Sequence, residues 1–113
     1  FKGFVFAYRG IVSAVRSERN MKVHVVLAIF TVCAGLYVRL TAIDWCLIVL
    51  CIGLVLVAEL INTAIEKIID HIEPSWQRQA GNIKDIAAGA VLCAAVVAAV
   101  VGLLIFTKYV AHT

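Results

Sequence analysis

The chain is poor in the residues that water demands. Only 15% of its 113 residues are charged, against 64% hydrophobic, and it holds one proline and one methionine. Soluble domains run at roughly 25% charged and 45–50% apolar. A fold this small cannot hide so much apolar surface from water, so a soluble domain is excluded. Disorder is excluded too, because disordered chains are apolar-poor. Neither GxxxxGK[ST] nor GxGxxG occurs, which removes ordinary P-loop and protein-kinase machinery. No cysteine pair is spaced CxxC; Cys33, Cys46, Cys51 and Cys93 all sit in apolar runs and read as small buried hydrophobes rather than disulfide or metal partners. No signal peptide is expected, since the early cluster Phe4-Val5-Phe6-Ala7 is short and lacks a cleavage site. The sequence opens on Phe1 rather than Met, so native residues are expected before it.

What is there is a single unit of 12.3 kDa with a mean hydropathy of +1.03, the signature of an integral membrane protein. The net charge of +3 is mild for a nucleic-acid binder and fits cations facing anionic lipid. Three long apolar runs predict membrane-spanning helices over 22–40, 42–70 and 83–108, each long enough to cross a hydrocarbon core of about 30 Å. A tight link, 39–44, joins the first two. The segment 71–82 holds Pro74 and several polar residues and reads as a loop, with Asn82 as a candidate cap for the third span.

Residues 1–20 differ. Lys2, Arg9, Ser13, Arg16 and Asn20 fall along one helical face, and Phe4, Ala7, Tyr8, Ile11 and Val15 along the opposite one. This pattern predicts an amphipathic helix lying in the lipid interface. A fourth span is excluded because Lys2, Arg9, Arg16 and Arg19 interrupt the apolar run. The cations cluster before the first span and around the second loop, with Lys67, Arg78 and Lys84, which assigns both to the cytoplasm. Tyr37, Trp45 and Tyr109 are then expected at the outer interface and Trp76 at the inner one.

Charge within a span is costly and signals function. The second span carries Glu59, Asn62, Glu66 and Asp70 at steps of three, four and four, one narrow helical stripe. Glu18, just before the first span, and Lys84 and Asp85, opening the third, share its cytoplasmic level. A structural polar network gluing helices explains Asn62 and Asp70 as well as function does; Glu59 and Glu66 exceed what packing needs. The chemistry such a cluster suits is phosphoryl transfer. Glu18 and Glu66 can hold Mg²⁺ carrying nucleotide phosphates. Lys84 can neutralise developing phosphate charge, and the deeper Glu59 can take a proton from a lipid hydroxyl. Spacing allows this reading without selecting it.

The run Ala58-Glu59-Leu60-Ile61-Asn62-Thr63-Ala64-Ile65-Glu66, then Asp70, then Lys84-Asp85-Ile86-Ala87-Ala88-Gly89-Ala90-Val91, resembles the small bacterial membrane lipid kinases, the prokaryotic diacylglycerol kinase and undecaprenol kinase family. The likeness covers nearly the whole chain, including Gly10 and Glu18-Arg19-Asn20. It implies an all-α membrane fold of three transmembrane helices plus an amphipathic N-terminal surface helix, assembled as a homotrimer with active sites shared between subunits. It also implies phosphorylation of a lipid alcohol in the bacterial inner membrane, with ATP as co-substrate and Mg²⁺ as cofactor. By resemblance, Glu59 is the general base and Asn62 an essential amide. Glu18 and Glu66 hold the metal on ATP, and Lys84 and Asp85 contact the nucleotide. Ser75, Trp76, Gln77 and Phe6 lie beside it. His24, and the absence of serine in Ala87-Ala88-Gly89, resemble the Gram-positive undecaprenol kinases, which favours undecaprenol over diacylglycerol.

Two other classes compete with this reading. A small multidrug proton antiporter would use a membrane glutamate, but needs four spans and one dominant buried acid. A membrane adaptor without catalytic activity leaves the carboxylate stripe unexplained.

Overall fold

The computed structural model describes residues 2–72 and 78–111, and they form four helices: α1 (Lys2–Ser17), α2 (Arg19–Val38), α3 (Ala42–Ile72) and α4 (Arg78–Ala111). The protein is all-α, and α2, α3 and α4 are long and apolar enough to cross a membrane. The particle is elongated, 55 × 36 × 20 Å. α3 and α4 pack along each other over most of their length; α2 lies against α3, and α1 against α2 and the adjoining end of α3.

Helix α1 ends where Glu18 takes an extended conformation, φ −111° and ψ 120°. The Glu18 N–H still donates to the Ala14 carbonyl at 3.0 Å, and the Lys22 N–H to the Glu18 carbonyl at 3.2 Å, so the chain bends without losing its backbone partners. The helix predicted over 1–20 therefore stops at Ser17, and Asn20 belongs to α2. Met21, 2% exposed, is buried just past the bend and, with Ala14, anchors the junction.

The α2–α3 link is as tight as its few residues predict. Arg39 adopts the left-handed region (φ 60°, ψ 66°), and its N–H returns to the Gly35 carbonyl, which also accepts from Leu40 N–H at 3.2 Å. A glycine usually fills this helix-ending position. Here a non-glycine holds it, and the reversal buries Leu40 in a core with Ile48 and Ile105, flanked by Trp45, Ile52, Phe106 and Tyr109. Gly35 is required by the same reversal: a Cβ there would lie 2.8 Å from both Leu40 Cδ1 and Trp45 Cη2. Thr41 starts α3, its Oγ1 accepting from the Asp44 N–H at 3.2 Å, an N-cap.

Two further sequence expectations change. Asn82 does not cap a helix; α4 begins at Arg78, so Asn82 lies in its second turn. Arg78, Gln79 and Ala80 are good helix formers; Gly81 and Asn82 are weak ones, but without a proline their cost is small enough for a packed helix to carry. The four cysteines are free thiols, but Cys33, Cys46 and Cys93 are exposed on outward helix faces rather than buried, and Cys51 is half-buried. Trp45 and Tyr109 pack against the Leu40 core, whereas Tyr37 stays exposed. Many large apolar side chains, Phe30, Leu50, Leu92 and Leu103 among them, are exposed on the spans. Surface of that character needs an apolar solvent or another chain against it.

Candidate functional site

The stripe on α3 is real and graded. Glu59, at 2% exposure, and Asn62, at 5%, are buried; Glu66 is half-buried and Asp70 exposed. The gradient follows from helix length. α3 has 31 residues and spans about 46 Å at the helical rise, well beyond a hydrocarbon core of about 30 Å. Its last turns therefore reach past the packed bundle.

Glu59 is the centre of the arrangement. Its nearest basic neighbour among the described residues is His24 on α2, with Nε2 3.9 Å from Glu59 Oε2 and the imidazole 17% exposed. Glu66 and Glu18 also act on it electrostatically. The fold thus brings together two helices and the α1–α2 bend around one carboxylate. Among the described residues, Glu59 Oε2, Asn62 Oδ1 and Thr63 Oγ1 are buried without a hydrogen-bond partner. Buried polar atoms left bare carry a desolvation cost, and three of them in one place mark a site shaped for something other than its own packing.

Asn62 Nδ2 donates to Glu66 Oε1 at 2.8 Å, one turn along α3. This leaves Glu66 Oε2 for other partners and turns Asn62 Oδ1 away from that bond. Glu18 is the N-cap residue of α2, yet its side chain makes no capping hydrogen bond, so its half-buried carboxylate is not spent on the helix end. Lys84, half-buried in the second turn of α4, pairs with Asp70 near the end of α3. Asp85 is exposed beside it, and Phe6 is exposed on α1. Ser75, Trp76 and Gln77 lie outside the described residues. Lys84 is therefore tied to α3 rather than to its neighbour Asp85, which sequence spacing does not reveal.

Among the described residues, no group of three or more His, Cys, Asp and Glu side chains is gathered into a metal site. A divalent ion at Glu18 and Glu66 would take two protein carboxylates and complete its shell from phosphate oxygens and water. That is the usual manner of Mg²⁺, and the all-oxygen donor set fits it.

Two features escaped the sequence reading. Thr63 is buried beside Asn62, 5% exposed, and looked like one more helix residue. Asp44, near the start of α3, accepts from Tyr109 Oη at 2.7 Å and from Lys108 Nζ at 3.3 Å, both on α4. Tyr109 Oη in turn accepts from the Thr41 N–H at 2.9 Å. This polar clamp lies at the opposite end of the bundle from Glu66 and Asp70. The only signal for it in the sequence was an acid beside one predicted membrane boundary and a lysine beside another.

The comparisons with known proteins agree with the family resemblance. Residues 5–106 match the model of the family described as prokaryotic diacylglycerol kinase. An undecaprenol kinase of Bacillus subtilis is 44% identical over 106 residues, covering 94% of this chain and 86% of that one. A diacylglycerol kinase of Synechocystis is 36% identical over 100 residues, covering 88% of this chain and 57% of that one. A diacylglycerol kinase of Escherichia coli is 27% identical over 95 residues, covering 84% and 78%. With three helices fit to cross a membrane and a family match over nearly its whole length, this chain belongs to the prokaryotic diacylglycerol kinase family and is a multi-pass membrane lipid kinase, with ATP as its co-substrate.

Proposed function

We propose that the protein transfers the γ-phosphate of ATP to the hydroxyl of undecaprenol, with Glu59 as general base. The observation that carries this reading is Glu59 itself: a buried carboxylate whose Oε2 has no hydrogen-bond partner among the described residues, on the same α3 stripe as Glu66. The hydroxyl oxygen attacks the γ-phosphorus, and its proton passes to Glu59 Oε2. The bond from that phosphorus to the β–γ bridging oxygen breaks, and ADP departs with the electron pair. Phosphoryl transfer needs positioning and charge neutralisation more than base strength. Asn62 holds Glu66 in place through its 2.8 Å bond. Glu66 and Glu18 would hold Mg²⁺, which when bound neutralises charge on the phosphates. Lys84, steadied by Asp70, offers a cation to the same phosphates, with Asp85 and Phe6 beside the nucleotide. Ser75, Trp76 and Gln77 belong to this nucleotide side by resemblance.

The choice of undecaprenol is supported by His24, by the absence of serine in Ala87-Ala88-Gly89 and by the 44% identity to an undecaprenol kinase. Diacylglycerol is the second reading, favoured by the names of the more distant relatives. The positive-inside bias supports a cytoplasmic N-terminus and a cytoplasmic α3–α4 connection, in the bacterial inner membrane. On this reading α1, with Phe4, Phe6 and Tyr8 exposed, lies in the lipid interface, and the exposed faces of the spans meet lipid and two further copies in a homotrimer with shared sites. Labelled ATP supplied with undecaprenol or diacylglycerol in one detergent tests the assignment. A higher kcat/KM for undecaprenol is expected; a higher value for diacylglycerol overturns the substrate, and no labelled lipid from either overturns the proposed transfer.

A further inference from the structure

Thr63 carries a hydroxyl that its own helix leaves unused. The residue is 5% exposed, and among the described residues its Oγ1 is buried without a hydrogen-bond partner. A threonine inside a helix has an acceptor at hand, the carbonyl four residues back. Thr31 Oγ1 donates in this way to the Leu27 carbonyl at 2.8 Å, and Thr107 Oγ1 to the Leu103 carbonyl at 2.7 Å. The equivalent acceptor for Thr63 is the Glu59 carbonyl, and Thr63 does not take it. The hydroxyl is thus held away from water and off the bond its helix offers, with its desolvation cost unrecovered.

Along α3, Thr63 lies between the base and the metal-competent acid, about 6 Å from the level of Glu59 and about 4.5 Å from that of Glu66. Steps of four and three keep the three residues on one helical face. The other orphaned atoms there are acceptors: a Glu59 carboxylate and Asn62 Oδ1 have no proton to give, and Asn62 Nδ2 is engaged with Glu66 Oε1. Lys84 pairs with Asp70, farther toward the end of α3. Of the three unpartnered atoms, only Thr63 Oγ1 can donate. A lipid hydroxyl gives its proton to Glu59, so the group that answers Thr63 is an acceptor alone, and a phosphate oxygen is one. A phosphoryl group moving from the Glu66 side toward the Glu59 side passes the level of Thr63.

We propose that Thr63 is a further catalytic residue, whose hydroxyl donates a hydrogen bond to a non-bridging oxygen of the γ-phosphoryl group as it is transferred. This rests on the reading of Glu59 as the base and Glu66 as a metal-holding acid. Thr63 keeps its proton throughout; it steers one equatorial oxygen and takes part of the charge spread over it. ADP, which has no γ-phosphoryl group, offers the hydroxyl nothing to hold.

The test uses the full chain purified in detergent, with undecaprenol as acceptor. Thr63→Val keeps the shape and removes the hydroxyl. It is expected to lower kcat/KM for MgATP about 10- to 100-fold, the worth of one hydrogen bond to a charged group. The inhibition constant of MgADP and the KM for the lipid are expected to stay within about twofold. Its Tm is expected to equal or exceed the parent's, because an unpartnered buried hydroxyl has been replaced by a methyl group. Thr63→Ser, which restores the donor, is expected to recover much of the turnover. Should Thr63→Val fail to assemble, Thr63→Ala carries the same comparison with Thr63→Ser. Parent-like turnover without the hydroxyl, no recovery in Thr63→Ser, or a parallel loss of MgADP inhibition each overturn the proposal. So does a lower Tm in Thr63→Val, which would make the hydroxyl a structural one. Glu59→Gln run beside these variants separates the two levels. If it keeps turnover, the base assignment fails, whereas a dead Glu59→Gln beside a normal Thr63→Val overturns this inference alone.

Discussion

Asn62 and Glu66 are joined along α3 by a 2.8 Å hydrogen bond from the amide nitrogen to Oε1. The bond fixes one oxygen of a half-buried acid and leaves the other to a ligand. Glu66→Gln is expected to lower turnover about a hundredfold or more with the helices intact. Added Mg²⁺ should restore little, because an amide is a poor ligand for a hard cation. Asn62→Ala, which only frees the carboxylate, is expected to cost about tenfold. Steady-state phosphate transfer with circular dichroism as a fold control measures both, and wild-type-like turnover in purified Glu66→Gln would remove this acid from the metal site.

Glu59 is placed deeper, about 10 Å along the helix from Glu66. Its charge is not needed to bind nucleotide if Glu18 and Glu66 hold the metal. Glu59→Gln is therefore expected to lose turnover by about 10²–10⁴-fold, the range for a general base, while still binding MgATP. Glu59→Asp is expected to be poor as well, since one methylene of retreat misplaces the carboxylate. Nucleotide binding measured beside turnover decides the role: loss of both would reassign Glu59 to organising the metal site.

Shared active sites make a different kind of claim. If Glu59 and Lys84 serve one site from different subunits, co-assembling inactive Glu59→Ala chains with inactive Lys84→Ala chains is expected to restore a fraction of the activity. The tool is differential tagging, so that mixed assemblies are isolated before assay. Inactive mixed assemblies would mean that one chain contributes both residues.

The other end of the bundle should affect stability and not chemistry. Tyr109→Phe removes the 2.7 Å bond to Asp44, and thermal denaturation in detergent is expected to show a lower Tm with specific activity retained. Gly35→Ala drives a methyl group to 2.8 Å from Trp45 Cη2 and Leu40 Cδ1, an overpacking cost of about 1–3 kcal/mol. A Gly35→Ala protein as stable as the parent would mean that the α2–α3 reversal is looser than its contacts indicate.

The sequence by itself determined the solvent, the number of long apolar helices and the face on which the acids lie. These depend on composition and on local periodicity: 64% hydrophobic residues exclude water as the medium, and steps of three and four put Glu59, Asn62, Glu66 and Asp70 on one stripe whatever packs against it. Helix ends were less legible. Asn82 looked like a cap, yet Gly81 before it weakens a helix without ending it, and α4 runs back to Arg78. Only the tertiary structure decided which side chains meet. His24 and Glu59 are 35 positions apart, and Lys108 and Asp44 are 64 apart; their approach depends on how α2 and α4 rotate and slide against α3. Periodicity names a face but not the partner facing it, because the packing energy that selects the partner is summed over many weak contacts along the whole helix.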